Sequence, residues 1–278
     1  MNNTSVHISE IKARAMEIRK SVISSLTAAG SGHLGGSLGL ADIFACLHFS
    51  FMSHKPDNPN WIDRDRLILS IGHVAPVLYA SLAHAGYFPI EELNTLRKFE
   101  SRLQGHPGRD HGLPGIELSA GSLGQGLSVA VGIALASKMD QRKNRIISIH
   151  GDGELQEGSI WEAAMSAAHH KLDNLIAIVD RNFCQIDGRT EDVMALEPLA
   201  AKWESFGWNT LKLNGNNVSE ILQALDEADS FQGKPSVLIA KTLMGKGVPE
   251  IEDDYKWHGK APSEAEARLF IQELEKNQ

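Results

Sequence analysis

The sequence predicts an α/β fold in which a mainly parallel sheet is flanked by helices. Five short apolar runs of strand length are separated mostly by longer segments whose apolar residues recur at helical spacing. These runs are apolar on both faces, which is typical of parallel strands covered by helices on either side. With 278 residues, 42% of them hydrophobic, the chain can bury such a core. The composition shows no break, so we expect a single domain over residues 1–278.

The N-terminal part is predicted to be mainly helical. Apolar residues recur at helical spacing from Ile11 to Leu26, and Gly30 offers a favourable stop. The glycine-rich stretch GSGHLGGSLG (30–39) is expected to be a loop, and the apolar stretch 40–52 is expected to be a second helix. A polar connection that contains proline follows and runs through Asp63.

The remaining chain alternates between strands and helices. The run RLILSIGH (66–73) has the length of a buried strand and ends in a glycine turn, and 75–86 has helical length and a glycine stop. The same pattern predicts further strands at 145–153, 175–182, 208–214 and 235–244, and helices at 157–171, near 197–206, near 218–229 and from 262 onwards.

Three segments do not follow this alternation. The stretch 100–126 contains seven glycines and two prolines, and an irregular stretch of this length is usually functional or disordered. The small-residue helix predicted at 127–139 fits either a subunit interface or the buried core. The acidic run EIEDDYKWHGK (250–260) is expected to be a solvated, flexible loop, although its closure could present His258 to a ligand.

Composition excludes several classes of function. The formal net charge of -8 argues against a general nucleic-acid binder, which needs a basic surface. Cys46 and Cys184 lack the spacing of a zinc site or a disulfide framework, so the reducing cytoplasm is the expected location. The N-terminus lacks the apolar segment of a signal peptide, and no apolar run is long enough to imply a membrane.

A polar side chain follows each of two successive predicted strands: Asp152 in GDG and Asn182 in VDRN. If a helix joins these strands in a parallel sheet, both side chains emerge at the same sheet edge. Carboxylate and amide oxygens suit Mg²⁺, whose coordination is completed by phosphates. Gly153 permits close approach of the backbone, and the next helix N-terminus favours an anion. An isolated GDG would be only a tight turn, but the position of Asn182 favours a metal-bound diphosphate.

Four histidines lie next to glycine in predicted loops: His33, His73, His106 and His258. Imidazole can hydrogen-bond a phosphate or a sugar hydroxyl and can move protons near neutral pH. Together they suggest a site, although each one could equally be a surface or structural histidine. Glu157, after GDG, is either a favourable charge at a helix N-terminus or a residue that acts across a subunit interface.

In order along the chain, these motifs resemble one family. GDGELQEG followed by VDRN resembles the thiamine-diphosphate motif, and SGHLGGSLG, LSIGHVAPVLYA, GHPG and AGSLGQG resemble transketolase from about residue 10 to 265. The resemblance implies the diphosphate-binding domain of a transketolase, an enzyme of carbohydrate metabolism such as the pentose phosphate pathway. It also implies thiamine diphosphate and Mg²⁺ as cofactors and sugar phosphates as substrates.

The resemblance also assigns roles to matching residues. Asp152 and Asn182 would coordinate magnesium together with the backbone carbonyl of Cys184, and Glu157 would belong to a hydrogen-bonded link between subunits. Three histidines would face the sugar and move or stabilise protons: His33, His106 and His258. The cofactor would be bound by His73, Gly121, Ser122, Leu123, Gly153, Asn182 and His258.

The family's pyrimidine-binding and C-terminal domains are not encoded in these 278 residues, and that half carries the glutamate that activates the cofactor. We therefore expect a separate C-terminal subunit in an α2β2 assembly, with ketol transfer only by the complex. The alternatives are a 1-deoxyxylulose-5-phosphate synthase-like or other thiamine-dependent carboligase, and a non-catalytic regulatory subunit.

Overall fold

A computed structural model of the chain describes residues 3–276 and contains the predicted parallel sheet. Its five strands pair only in parallel, in the order β1-β2-β3-β7-β6, and a short antiparallel hairpin, β4–β5, lies outside the sheet. All five strands predicted from the sequence are present, and the hairpin was not predicted. The strands are β1 Arg66–Leu69, β2 Ile146–Gly151, β3 Leu175–Arg181, β4 Cys184–Gln185, β5 Gly188–Arg189, β6 Asn209–Asn214 and β7 Ser236–Lys241.

Helices connect the strands and cover both faces of the sheet. The α-helices are α1 Asn3–Ala29, α2 Leu34–Gly39, α3 Ala41–Cys46, α4 Ala75–His84, α5 Gly126–Met139, α6 Gly158–His169, α7 Thr190–Val193, α8 Leu199–Ser205, α9 Val218–Ser230 and α10 Glu264–Lys276. A π-helical turn, Leu47–Phe51, continues α3, and short 3-10 segments lie at Gly72–Val74, Ile90–Thr95, Arg109–His111, Gly153–Gln156 and Tyr255–Trp257.

The core consists of two apolar clusters, one on each face of the sheet. Because successive strand residues point to opposite faces, Leu67 and Leu69 of β1 enter one cluster while Ile68 enters the other. Helices α1, α3, α4, α9 and α10 supply the first cluster, and α5, α6 and α8 supply the second. Burial on both faces explains why the strands read as continuous apolar runs.

The prediction of a loop over residues 30–39 is wrong for its second half. Residues Leu34–Gly39 form α2, and all six are buried. A Cβ added to Gly35 would lie 2.7 Å from Cγ of Met244. Glycine is intrinsically unfavourable in a helix, but this close packing outweighs its propensity. The first strand is also shorter than predicted, because the chain turns into a 3-10 segment at Gly72.

The prediction of a solvated, flexible loop over residues 250–260 is only partly right, because the segment is mainly irregular and exposed but is anchored to the core at two points. Ile251 and Trp257 are buried, and the Trp257 ring packs edge-on against Phe270 with 5.4 Å between centroids. Nη1 of Arg189 donates to Oδ1 of Asp253 at 2.5 Å, which joins this segment to the β4–β5 hairpin. The prediction rested on the acidic residues of the segment, but the apolar side chains of Ile251 and Trp257 anchor it.

The long stretch 100–126 is mainly irregular, and a backbone hydrogen bond from Ala120 to Pro107 (3.0 Å) closes it into a loop. The helix after it, α5, buries Leu127, Ala130 and Ala134 in the core, while Met139 is 76% exposed. Its packing agrees with the core interpretation. In the part of the chain described, no helix is long and apolar enough to cross a membrane.

Candidate active site

The predicted acidic and amide residues meet at the carboxyl edge of the sheet. Strands β2 and β3 are parallel neighbours in which Gly151 pairs with Asp180, so Asp152 and Asn182 lie just beyond the paired strand ends. Both line a cleft of about 220 Å³. Parallel α/β sheets commonly bind ligands at this edge.

Asp152 is buried, and its carboxylate is surrounded by donors. Oδ2 accepts hydrogen bonds from Nη1 of Arg181 (2.9 Å) and the backbone N–H of Phe183 (2.8 Å), and Oδ1 accepts from the N–H of Gly153 (2.7 Å). Burial raises the pKa of Asp152, although Arg181 opposes the shift. Arg181 also pairs with Glu191 and so connects this carboxylate to α7.

Asn182 is oriented by its neighbours. Its Nδ2 donates to Oδ2 of Asp180 at 2.8 Å, and its Oδ1 accepts from the N–H of Cys184 at 2.9 Å. Asp180 is fully enclosed and also accepts a hydrogen bond from Thr242. Burial, followed by repulsion from Asp152, raises the pKa of Asp180 to about 7.

These residues have the chemistry of a divalent cation site. A cation would relieve the cost of burying Asp152 and Asp180 near each other, because positive charge favours ionised carboxylates. Within residues 3–276, no three His, Cys, Asp or Glu side chains are grouped to hold a metal. The predicted ligands are the Asp152 carboxylate, the Asn182 amide and the backbone carbonyl of Cys184, and only one of these three groups is a His, Cys, Asp or Glu side chain. Burial raises the pKa of the Cys184 thiol to about 12, so it is not a thiolate ligand at neutral pH.

Three of the four predicted loop histidines form one cluster. The ring centroids of His33 and His73 are 4.8 Å apart, those of His73 and His258 are 5.0 Å apart, and those of His33 and His258 are 5.7 Å apart. The structure therefore brings together residues from the beginning, first third and end of the chain. His73 and His258 line the cleft directly.

The clustered histidines are neutral at neutral pH. Burial, with repulsion from neighbouring imidazoles, lowers the pKa of His33 to about 4 and that of His73 to about 3. Burial also lowers the pKa of His258. Within the described chain, Nδ1 of His33 and Nδ1 of His258 are buried without a hydrogen-bond partner. Buried polar atoms normally have partners, so these two nitrogens are available to a ligand.

The loop predicted to line the cofactor lies at the rim. Leu123 lines the cleft, whereas Gly121 and Ser122 are exposed and do not. His106 is exposed too and packs beside Gly121, where an added Cβ would lie 3.7 Å from its Cγ. The lack of a side chain at Gly72 lets the backbone at Ala120 approach closely, because a Cβ on Gly72 would lie 2.9 Å from the carbonyl carbon of Ala120.

Glu157, Gly153 and Cys184 complete the predicted set. All three line the cleft, and Glu157 is exposed at the beginning of α6. The hairpin places Ile186 at the same cleft, where an added Cβ on Gly259 would lie 3.1 Å from its Cδ1. No sequence signal singled out Ile186, because the hairpin itself was not predicted.

Glu154 is a buried residue that the sequence reasoning missed. One oxygen accepts from Ser70 and from the N–H of Gly124 (2.8 Å), and the other accepts from the N–H of Gly151 (3.2 Å) and Nδ1 of His150 (3.3 Å). Burial alone would raise the pKa of Glu154, but these donors hold it below its usual value. The Glu154 carboxylate therefore holds the loop that contains Gly124 against the ends of β1 and β2.

Arg97 is the second residue that was missed. A Cβ added to Gly105 would lie 2.8 Å from its Cζ, and one added to Gly32 would lie 3.5 Å from its Nε. These glycines precede His106 and His33, so the guanidinium lies between the two histidine loops. No carboxylate pairs with Arg97 in the described residues, and its charge contributes to the lowered pKa values of both histidines. The backbone of Arg97 has a positive φ of 60°, which the sequence does not predict.

The fold and this cleft define a class: an α/β protein with a ligand site at the carboxyl edge of a parallel sheet. Comparison with known proteins identifies the family. Residues 11–277 match the family described as "Transketolase, thiamine diphosphate binding domain". The chain therefore belongs to the transketolase family, and the matched residues are its thiamine diphosphate-binding domain.

Similar proteins fall into two length classes. The chain is 45% identical to the 6-deoxy-6-sulfo-D-fructose transketolase subunit of Clostridium sp. (strain MSTE9), covering 96% of this chain and 97% of that protein. It is 41% identical to an apulose-4-phosphate transketolase subunit of Actinobacillus succinogenes, covering 99% of both. It is 39% identical to human transketolase, covering 95% of this chain but 42% of that protein. The crystal structure of Campylobacter jejuni transketolase superposes with a TM-score of 0.90 at 35% identity, covering 100% of this chain and 43% of that one.

Proposed function

We propose that this chain is the cofactor-binding subunit of a two-chain transketolase. Together with a C-terminal subunit it would transfer a two-carbon ketol unit from an anionic ketose to an aldose phosphate. The observation that carries the proposal is the meeting of Asp152, Asn182 and the histidine cluster at one sheet edge. Similar proteins of nearly equal length that are named transketolase subunits support the two-chain arrangement.

The size of the cleft supports a site that a second chain completes. Its volume of about 220 Å³ is smaller than the roughly 300–1,000 Å³ that is usual for cofactor pockets. The chain would act as a single diphosphate-binding domain in the cytoplasm. The exposed Glu157 would contribute to the contact between subunits in an α2β2 assembly.

The cofactor would be held by residues at the strand ends. Asp152, Asn182 and the carbonyl of Cys184 would bind Mg²⁺, and Arg181 would have to release Asp152 as the metal binds. His73 and Gly153 would contact the diphosphate, while Gly121, Ser122 and Leu123 would border the rest of the cofactor. Bound thiamine diphosphate supplies the carbon nucleophile that the side chains of this protein lack.

The neutral histidines would handle the sugar. A neutral imidazole can accept a proton from one hydroxyl and donate a hydrogen bond to another, which suits proton transfer during cleavage of a carbon–carbon bond. The unpartnered Nδ1 atoms of His33 and His258 would receive such contacts. His106, at the exposed rim, would reach the more distant hydroxyl groups.

Arg97 supports an anionic sugar as the substrate. Its guanidinium has no carboxylate partner in residues 3–276 and lies between the loops of His33 and His106. Guanidinium binds phosphate and similar oxyanions in a bidentate manner. The similar subunits are named for a sulfonated and a phosphorylated sugar, both of which carry such a group.

The test is reconstitution. We expect the chain alone to be inactive, and the chain mixed with its C-terminal partner to transfer ketol units from ketose phosphates but not to use pyruvate as donor. Asp152→Ala and Asn182→Ala should each abolish Mg²⁺-dependent binding of thiamine diphosphate to the complex, measured by calorimetry. Full activity of the isolated chain, or unchanged cofactor affinity in both variants, would contradict the proposal.

A further inference from the structure

A second polar cleft, of about 650 Å³, lies at the amino edge of the sheet. Arg66, the first residue of β1, lines it, whereas the histidine cluster lies beyond the other end of that strand. Four guanidinium groups and one carboxylate border this arginine cleft: Arg64, Arg66, Arg102, Arg109 and Glu117. The cleft therefore carries an excess of positive charge in a chain whose net charge is -8.

Two of the arginines share one carboxylate. Oε1 of Glu117 accepts from Arg64, and Oε2 accepts from Nη1 of Arg66 at 3.4 Å. The Glu117 side chain is only 10% exposed, so it serves as a fixed anchor for both guanidinium groups. One carboxylate cannot neutralise two guanidinium groups, and one positive charge remains.

Arg102 and Arg109 differ in their pairing. Arg102 is neutralised by Glu92, which accepts from its Nε at 2.9 Å and its Nη2 at 2.8 Å. Arg109 is exposed and has no acidic partner in the described chain. The nearest acidic residue in sequence, Asp110, lies 4.0 Å from Nε2 of His111 and does not line the cleft. Arg109 therefore supplies a second positive charge without a partner.

The charges are close enough to affect one another. Burial, followed by the guanidinium groups of Arg64 and Arg109, lowers the pKa of Arg66, although Glu117 opposes the shift. Like charges that crowd together without counterions are unfavourable, and a bound anion would remove this repulsion. Several guanidinium N–H groups in the cleft also have no acceptor among residues 3–276, because neither the Arg109 side chain nor Nη2 of Arg64 donates a hydrogen bond.

We propose that the arginine cleft binds a small anion with at least two negative charges, of the diphosphate class. Two unneutralised guanidinium groups match two negative charges, and planar guanidinium binds phosphate oxygens in pairs. The site lies at the opposite sheet edge from the proposed cofactor site and does not depend on the proposed function. Arg109 belongs to the same loop as His106, so the two sites share one segment of chain.

The experiment is calorimetric titration of the full chain with inorganic pyrophosphate and, separately, orthophosphate, in EDTA so that metal-dependent binding cannot contribute. We expect pyrophosphate to bind more tightly than orthophosphate, and its affinity to fall as salt rises. Arg109→Gln should weaken pyrophosphate binding by about ten-fold or more, because one charge-assisted contact is lost. Arg268→Gln, which changes an exposed arginine on α10, is the matched control and should leave the affinity unchanged.

One further variant and one further sample identify where pyrophosphate binds. Asp152→Asn should retain pyrophosphate binding, since it changes only the proposed cofactor site. Absence of binding, or binding lost in Asp152→Asn but unchanged in Arg109→Gln, would overturn the proposal. Binding that disappears when the partner subunit is added would also overturn it, because the cleft would then be an interface for acidic protein.

Discussion

At the scale of single residues, the site is defined by two like charges buried close together and by an arginine between two histidine loops. Asp152 and Asp180 are buried together, whereas Arg97 is exposed and lies between two histidine loops with no carboxylate partner among residues 3–276. Burying two carboxylates near each other lowers stability in the absence of a cation, so this pair is informative about a ligand. The carboxylates suit a cation, while the guanidinium suits an oxyanion.

Arg97→Gln is expected to raise the KM for the ketose phosphate about ten-fold or more in the reconstituted enzyme. The reason is the loss of a charge-assisted hydrogen bond to the anionic group, whereas kcat and the affinity for thiamine diphosphate should change little. Steady-state kinetics and calorimetry measure these quantities. Lys98→Gln, a neighbouring charge change, serves as the control, and equal effects of both substitutions would refute a specific role for Arg97.

The sequence predicted those site residues that can be recognised from their position at the end of a strand. Asp152 and Asn182 were identifiable because each follows an apolar strand, and parallel strands bring such positions to one edge. Glu154 was not identifiable, because it bonds Ser70 and Gly124, which are distant in sequence. Arg97 was not identifiable either, because it lies between two glycine-containing loops from separate parts of the chain. Contacts between remote segments leave no periodic signal.

At the scale of elements, the segment 250–260 illustrates how packing controls a functional side chain. Trp257 is buried against Phe270 of α10 immediately before His258, and Nζ of Lys260 lies 3.7 Å from the centroid of its ring. The acidic residues of this segment suggested a flexible loop, but its conformation depends on the tryptophan. The same applies to α2, where buried glycines form a helix because their neighbours pack closely.

Trp257→Ala should lower the free energy of unfolding by about 3 kcal/mol, since truncating a buried aromatic leaves a cavity. Urea denaturation measures the loss, and hydrogen exchange should show faster opening of residues 250–260. The control is Tyr255→Ala in the same segment, where the side chain is 36% exposed. A similar loss in both variants would mean that the Trp257 packing does not anchor the segment.

At the scale of the whole molecule, buried neutral histidines couple stability to pH. Burial lowers the pKa values of His73 and His48 to about 3 and, with neighbouring charges, that of His33 to about 4. In the unfolded chain these groups titrate near pH 6.5. Between these values the unfolded chain binds more protons, so folding stability falls as pH decreases from about 6.5 towards 4. Asp180, whose pKa is raised to about 7, acts in the opposite direction throughout that range and offsets part of the loss.

We expect the urea midpoint of the isolated chain to decrease steadily from pH 7 to pH 4.5. Each buried histidine contributes up to about 1.4 kcal/mol per pH unit. His48→Gln keeps a donor for the carbonyl of Phe44 but cannot be protonated, so its pH dependence should be shallower. The exposed His111→Gln should behave like the original chain. An identical slope in His48→Gln would show that His48 does not cause the effect.

The histidine cluster also has a consequence for the synthesis of the protein. His33 and His258 are separated by most of the sequence, yet their ring centroids lie 5.7 Å apart. The ribosome delivers the chain from its N-terminus, and β1 to β7 can pair before residue 258 has emerged. The histidine cluster is therefore among the last features to assemble, and a nascent chain arrested after β7 would have the strand-end residues Asp152 and Asn182 in place but would lack His258.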